Sequence, residues 1–358
     1  MGHVLVAPDK FKGSATAPEV AARLASGLRA GGAVAVELPV ADGGDGTLDA
    51  AVAAGYRRVP VEVSGPTGAC VRSAFALRDG TAVVELAAAS GLVLLPDGPD
   101  PLGASSRGTG ELIRAALDAG ATRIVLGVGG SAGTDGGVGM LAALGARFLD
   151  AAGADLPHGG GALTQLTTVE LEGLDARLAA VEIVLASDVD NPLSDAAAVY
   201  GPQKGATPAD IAVLEHGLAR LAEAVGPVAA RLPGAGAAGG VGFAALAVLG
   251  ARMRPGIEVV LDVVGFADAL AGADLVVTGE GRLDAQTLHG KAPAGVAAAA
   301  RRAGVPVVAV CGVRDLDDAQ LRDAGFAAAH ALTEWCPDEA RCRAEPGPLL
   351  ESIGRTLA

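Results

Sequence analysis

Seven short stretches of this 358-residue chain combine carboxylates, lysines, hydroxyls and glycines in ways that could do chemistry. In "PVADGGDGT", Asp42 and Asp45 bracket Gly43 and Gly44, and Thr47 comes two residues later. Two carboxylates that close suit a hydrated Mg²⁺ ion or a general base with a supporting neighbour; a turn leading into a helix N-cap is the plainer alternative. "ASDVDNPL" carries Asp188, Asp190 and Asn191, the last the only asparagine of the chain, again oxygen ligands of the kind a hard cation takes. "GVGGSAGTDGG", residues 127–137 with Gly129, Gly130, Ser131 and Asp135, could turn backbone N–H groups toward an anion. "PGAGAAGG", residues 233–240, permits close backbone approach to a ligand or simply a small-residue turn. "TGEGRLDAQTLHGK" supplies Glu280, Arg282, Asp284, Gln286, Thr287 and Lys291, more polar groups than a connection needs.

The remaining two, "APDKFKGS" and "GPQKGAT", draw attention through lysine. Among 27 Lys and Arg residues only four are lysine, at positions 10, 12, 204 and 291. Arginine replaces lysine readily on a solvated face, so a chain that prefers arginine should keep lysine where a compact ammonium is needed. All four stand in short stretches rich in Gly, Pro or small residues. Acidic groups for Mg²⁺, lysines for phosphate oxygens and glycine-rich loops are the parts of phosphoryl transfer, which is mostly positioning and charge neutralisation. The residues alone therefore reach a Mg²⁺-dependent enzyme of a small phosphorylated or carboxylated ligand.

These stretches need a scaffold that presents loops at one edge. Residues 3–55 alternate strand, helix, strand and helix, the pattern of parallel strands with crossover helices. From Tyr56 the texture changes to "RRVPVEVSGP", "CVRSAFALRDG" and "TAVVELAAAS", three short runs that read as an antiparallel meander. Strands and helices then alternate again to the C-terminus. The expectation is α/β throughout: a doubly wound Rossmann-like domain from residues 1–65 and 255–358, with a second, partly antiparallel α/β domain inserted at 66–254. Most of the seven stretches come directly after strands, where open α/β sheets place ligand crevices, and a cleft between the domains is the expected binding place.

Composition narrows the partners. A net charge of −14 argues against nucleic acid and anionic membrane, both of which need a basic face. Four scattered cysteines form neither a zinc motif nor a disulfide framework, so a reduced cytoplasmic setting is expected. Asp9, Lys10 and Lys12 interrupt any signal peptide, and the uncharged run 232–251 contains Pro233 and six glycines, which excludes a span. A homodimer is compatible with such a chain.

Taken in order, "PDKFKGS", "PVADGGDGT", "SSRGTGELI", "GGSAGTDGG", "DVDNPL", "YGPQKGAT", "PGAGAAGG" and "TGEGRLDAQTLHGK" resemble the signature of the bacterial glycerate kinase type I family from about residue 3 to 315. The resemblance implies ATP- and Mg²⁺-dependent phosphorylation of D-glycerate, commonly to 2-phosphoglycerate, in glycerate, glyoxylate or sugar-acid catabolism. Within that reading Lys10 and Lys12 are expected to neutralise charge on the transferring phosphoryl group or the substrate carboxylate, and Asp188 and Asp190 to act as base or Mg²⁺ ligand, with Asp42 and Asp45 the alternative pair; family membership alone does not decide which pair does which. Gly44, Ser106, Gly129, Gly130, Ser131, Asp135, Asn191, Lys204, Glu280, Arg282, Asp284 and Lys291 are the expected substrate and nucleotide contacts.

Three departures accompany the resemblance: Gly133 where the family usually has Thr, a connection reduced to "SD" after "DVDNPL", and Tyr200 where the family has Phe. Two competing readings carry less of the sequence. Gly127, Gly129 and Ala132 match G-x-G-x-x-A, with Asp150 further on, which would suit a nicotinamide-dependent oxidoreductase of a small hydroxy acid but explains none of the lysines. A sugar-acid-binding regulator would have no output surface.

Overall fold

The computed structural model describes residues 2–288 and 290–358; His289 of the "TLHGK" stretch lies outside them. Within these residues β1 (His3–Val6) and β2 (Ala35–Glu37) open the chain. They are succeeded by β3 (Arg57–Ser64), β4 (Cys70–Arg78), β5 (Thr81–Glu85), β6 (Arg123–Gly127), β7 (Arg147–Leu149), β8 (Thr168–Glu170), β9 (Glu182–Ala186) and β10 (Arg252–Arg254). β11 (Ala273–Leu283), β12 (Val307–Arg314) and β13 (Ala328–Ala331) close it. The chain divides into two compact units, one of Met1–Asp42, Asp49–Gly55 and Pro255–Ala358, the other of Gly43–Leu48 and Tyr56–Arg254.

The first unit is a wholly parallel sheet in the order β13-β12-β11-β1-β2. Renumbered within the unit this is 2-1-3-4-5, the doubly wound order whose switch point falls between β1 and its neighbour β11. The helix Ala17–Ala30 starts where it does because Thr16 and Glu19 form a capping box, with Pro18 fitting the first turn. It buries Val20, Ala21, Leu24 and Leu28, spaced for one face, under the sheet. The opposite face of the sheet is covered by a cluster that includes Leu5, Val260, Val276 and Val296. The expected doubly wound fold is thus present.

The second unit has the sheet order β10-β9-β6-β5-β4-β3, antiparallel from β3 to β5 and parallel from β5 to β10. The expected meander is β3-β4-β5. Residues 57–64, read from sequence as the end of the first domain, pair with 70–77 along their whole length, so they fold with the second unit. The short segment Gly43–Leu48 also folds there. A core around Phe75, Leu112, Ile124, Met140 and Phe243 fills this unit.

Candidate functional site

The chemistry of the first unit gathers beyond the carboxyl ends of β1 and β11. Backbone pairing runs past β1, since Ala7 N–H donates to Val277 O at 2.7 Å and Asp9 N–H to Gly279 O at 2.8 Å. Asp9 is thereby fixed at the switch point, only 6 % exposed. Its Oδ1 accepts the Lys10 N–H at 2.6 Å and lies 3.6 Å from Lys10 Nζ. Burial pushes its carboxyl up to about 7; Lys10 opposes the rise, while Asp42 and Glu280 add to it.

The turn after Lys10 is pinned by Phe11 and Ala15, whose N–H groups exchange bonds with each other's carbonyls at 2.8 and 3.0 Å, with Gly13 at φ 73° between them. Phe11 is buried among Leu24, Leu28 and Leu332, as expected of a residue pointing into the core. Lys10 is half-buried and Lys12 exposed on either side of it.

Glu280, Asp284 and Lys291 are brought together by an Asx turn. The Asp284 Oδ1 accepts the N–H groups of Gln286 and Thr287 at 2.9 and 3.2 Å. Thr287 Oγ1 then donates to Glu280 Oε1 at 2.5 Å, and Lys291 Nζ stands 3.4 Å from Glu280 and 3.5 Å from Asp284. Burial raises the Glu280 carboxyl above its ordinary value, against the pull of Thr287 and Lys291. Arg282 stands apart from this group in its ion pairs: its guanidinium pairs with Asp315 at 2.8 Å and faces Glu339 at 3.8 Å.

In the second unit the glycine loop 127–137 is a braced platform. Leu92 N–H donates to Gly130 O, Ala132 N–H to Ser90 O and Gly136 N–H to Gly239 O, all at 2.9 Å. Asp135 is fully engaged as an acceptor: Oδ2 takes the Ser106 N–H and Oγ–H at 2.8 Å each and the Gly139 N–H at 3.2 Å, and Oδ1 takes the Gly137 N–H at 3.0 Å. Lys204, 2 % exposed, donates to Gly133 O at 2.5 Å, and burial pushes its ammonium down to about 8 against the pull of Asp135. Ser106, Asp135 and Lys204 therefore hold the loop in place.

The glycines explain how close these segments come. A Cβ on Gly129 would meet Gly44 Cα at 2.6 Å, and one on Gly133 would meet Ala104 O at 2.6 Å, so the Gly133 departure goes with a tight approach of 104–105. "PGAGAAGG" approaches the protein's own loop: a Cβ on Gly240, at φ 93°, would meet Gly136 Cα at 2.7 Å. Glu85, at the end of β5 and 5 % exposed, accepts the N–H groups of Gly46 and Leu48 at 3.2 and 3.0 Å, which seats the loop containing Gly44 and the exposed Asp45.

Beyond β9, Asp188 and Asp190 are exposed. Asn191 is held at both ends of its amide, accepting from Tyr200 OH at 2.7 Å and donating to Asp195 at 3.3 Å. Two of the three departures meet here: the short "SD" connection supplies Asp195, and Tyr200 supplies the hydroxyl that a Phe would lack. Among the described residues no three His, Cys, Asp or Glu side chains stand together as a metal cage. No described helix is long and apolar enough to cross a membrane.

Sequence reading missed Asp9 and Glu85. Asp9 was visible as the residue before two conspicuous lysines, at a strand end; Glu85 offered only its place at the end of a β-run.

Parallel sheets with carboxylates and ammonium groups at their carboxyl edges define an α/β enzyme acting on a small anionic ligand. The sequence profile of the Glycerate kinase family matches residues 4–358. The chain is 49 % identical over 322 residues to the glycerate kinase of Bacillus subtilis, covering 86 % of this chain and 84 % of that one. It is 45 % identical over 323 residues to the glycerate 2-kinase of Escherichia coli, with 86 % and 84 % covered. A crystal structure of a provisionally named glycerate kinase 2 from Salmonella typhimurium LT2 superposes with a TM-score of 0.85 at 42 % identity, over 99 % of this chain and 97 % of that one. The chain belongs to the glycerate kinase family, phosphotransferases with an alcohol group as acceptor, and its kinase membership brings ATP as phosphoryl donor. The oxidoreductase reading falls with that finding, and the backbone agrees. The helix after the glycine loop begins only at Val138, six residues beyond Ala132.

Proposed function

We propose that this chain transfers the γ-phosphoryl group of ATP to the 2-hydroxyl of D-glycerate, with Asp9 as general base. The observation that carries the reading is a buried carboxylate held near neutrality at the switch point of a parallel sheet, flanked by Lys10 and by the Glu280–Lys291 pair. A base tuned near the working pH takes a hydroxyl proton most effectively. Lys10 would match the charge of the ionised Asp9 before the transfer, and Asp9 would become neutral as it accepts the proton while the glycerate oxygen attacks phosphorus. Lys10, Lys12 and Lys291 would balance charge on the phosphoryl oxygens and the glycerate carboxylate.

Mg²⁺ belongs to the same reading. It takes oxygen ligands, keeps several waters and needs only one or two carboxylates besides the nucleotide phosphates. The exposed pair Asp188 and Asp190 fits that demand, and the lack of a three-residue cage among the described residues agrees with an ion held mainly by phosphate and water. When bound, the ion would neutralise charge on the transferring group. The enzyme works on small molecules in the cytoplasm, in keeping with its acidic balance. A coupled assay with D-glycerate, ATP and Mg²⁺, combined with ³¹P NMR of the product, tests the assignment. Formation of 2-phosphoglycerate is the expected result; no turnover, or 3-phosphoglycerate alone, overturns the substrate or the position.

A further inference from the structure

We propose that Cys336 and Cys342 are a redox modification site, a dithiol that closes to a disulfide beneath the lysine turn. The two cysteines flank a single tight segment. The short helix after β13 ends at Cys336, Asp338 caps the next helix, Glu339–Ala344, and Cys342 lies in that helix with its N–H donated to Asp338 O at 3.0 Å. Cys342 Sγ donates to Cys336 O at 3.1 Å, and Cys336 Sγ is 3.9 Å from Asp338 O, so both sulfurs crowd the same stretch of backbone. Burial, together with the neighbouring Cys336, raises the Cys342 thiol above its ordinary value.

The pair is asymmetric in the way an oxidisable dithiol requires. Cys336 is half-buried and reachable, whereas Cys342 is 3 % exposed and waits behind it. Cys311, the other cysteine of this unit, is no partner, because it lies in a different apolar cluster from Cys342. The oxidant is a hydroperoxide. The Cys336 thiolate attacks the peroxide oxygen, the O–O bond breaks, and Cys336 becomes a sulfenic acid. Cys342 sulfur then attacks Cys336 sulfur, the S–S bond forms and water leaves with the second thiol proton. With hydrogen peroxide, two thiols lose two electrons to the peroxide, which leaves as two waters.

The location gives the bond a consequence. Cys342 and Phe11 share one apolar cluster, against which Cys336 packs, and Phe11 is the anchor between Lys10 and Lys12. Ser14 Oγ donates to Arg343 O at 2.5 Å, and Glu339 faces Arg282 on β11 at 3.8 Å. Drawing Cys336 onto Cys342 shifts this helix against the turn that carries both lysines, so the oxidised enzyme should turn over more slowly. The disulfide is independent of the proposed role of the lysines; only the effect on turnover rests on it.

The test treats the full-length enzyme with hydrogen peroxide and reads mass and activity separately. A mass lower by two hydrogens is expected, together with a non-reducing tryptic map linking the peptide that ends at Arg341 to Cys342–Arg343. Dithiothreitol should reverse both. In Cys336→Ser the link should vanish while the reduced activity stays. A link elsewhere, or sulfinic acid at Cys336 without a disulfide, overturns the site. A complete link with kcat/KM changed by less than about threefold keeps the site and overturns its coupling to the lysine turn.

Discussion

Replacing Asp9 with Asn separates the two costs of a buried carboxylate near neutrality, one to stability and one to activity. The folded protein holds the Asp9 proton up to about pH 7, whereas an unfolded chain releases it near 3.8. Between those values the folded state binds more protons, so stability falls as pH rises through the window and stays reduced above it. At about 1.4 kcal/mol per pH unit, the shift from 3.8 to about 7 corresponds to an upper limit of about 4 kcal/mol. Asn keeps the Oδ1 acceptor for the Lys10 N–H and does not ionise. The variant should therefore be more stable than the wild type by roughly 2–4 kcal/mol at pH 8, with the difference shrinking toward zero near pH 4. Its kcat should fall by about 10²–10⁴-fold, and the wild-type acid limb near pH 7 should disappear with it. Urea unfolding at pH 8 and pH 4.5, paired with kcat measured across pH 5.5–9, checks both. A stability difference that does not change with pH, or a variant retaining more than about a third of the wild-type kcat, refutes the assignment.

Lys10→Met should lower kcat by at least about tenfold and, by removing the cation that opposes the rise of Asp9, move the acid limb above 7; unchanged kinetics in a folded variant would exclude Lys10 from the reaction. Lys204 has its ammonium lowered to about 8 in the fold and near 10.5 when unfolded, so wild type should gain stability relative to Lys204→Met as pH rises from about 8 to 10.5. Denaturation at pH 7.5 and 10 tests this, and a constant difference contradicts it. Asp135→Asn replaces one accepting oxygen by an NH2 group facing the donors it served, the Ser106 N–H and hydroxyl and the Gly139 N–H at Oδ2 or the Gly137 N–H at Oδ1, and should cost roughly 2–4 kcal/mol, measured by urea unfolding. A loss below about 0.5 kcal/mol would show that the brace is dispensable.

Much of the fold was legible because its signals are local. The strand–helix alternation and the meander each lie within a few residues of the elements they define. The first domain boundary was set at 65, although the change of texture at Tyr56 already marked the meander, and the hydrogen bonds of 57–64 go to 70–77. The candidate site's residues could be picked out by type, but not the partners that hold them. Asp135 and Lys204 have the residue types of ligand contacts, but the partners that engage them, Ser106 and the Gly133 carbonyl, lie far along the chain. Asp9 was passed over for the same reason, since its raised carboxyl comes from burial first and then from Asp42 and Glu280, both distant in sequence, against the pull of its neighbour Lys10.

The rarity of lysine acquires a physical reading from these environments. Among the described residues Lys204 has one hydrogen-bond partner, a carbonyl, inside an almost fully buried site. A guanidinium there would bring five donors into surroundings that satisfy one, and it could not shed its charge, whereas an ammonium can. Lys291 sits between two carboxylates at 3.4 and 3.5 Å, a point-charge geometry rather than a planar fork. Lys10 stands 3.6 Å from a carboxylate that must alternate between neutral and charged forms. A compact cation moderates that carboxylate without gripping it, whereas a bidentate arginine would hold it ionised and too weak a base to take a hydroxyl proton. In three of the four places, then, the chain keeps lysine where arginine would change the chemistry and not merely the charge.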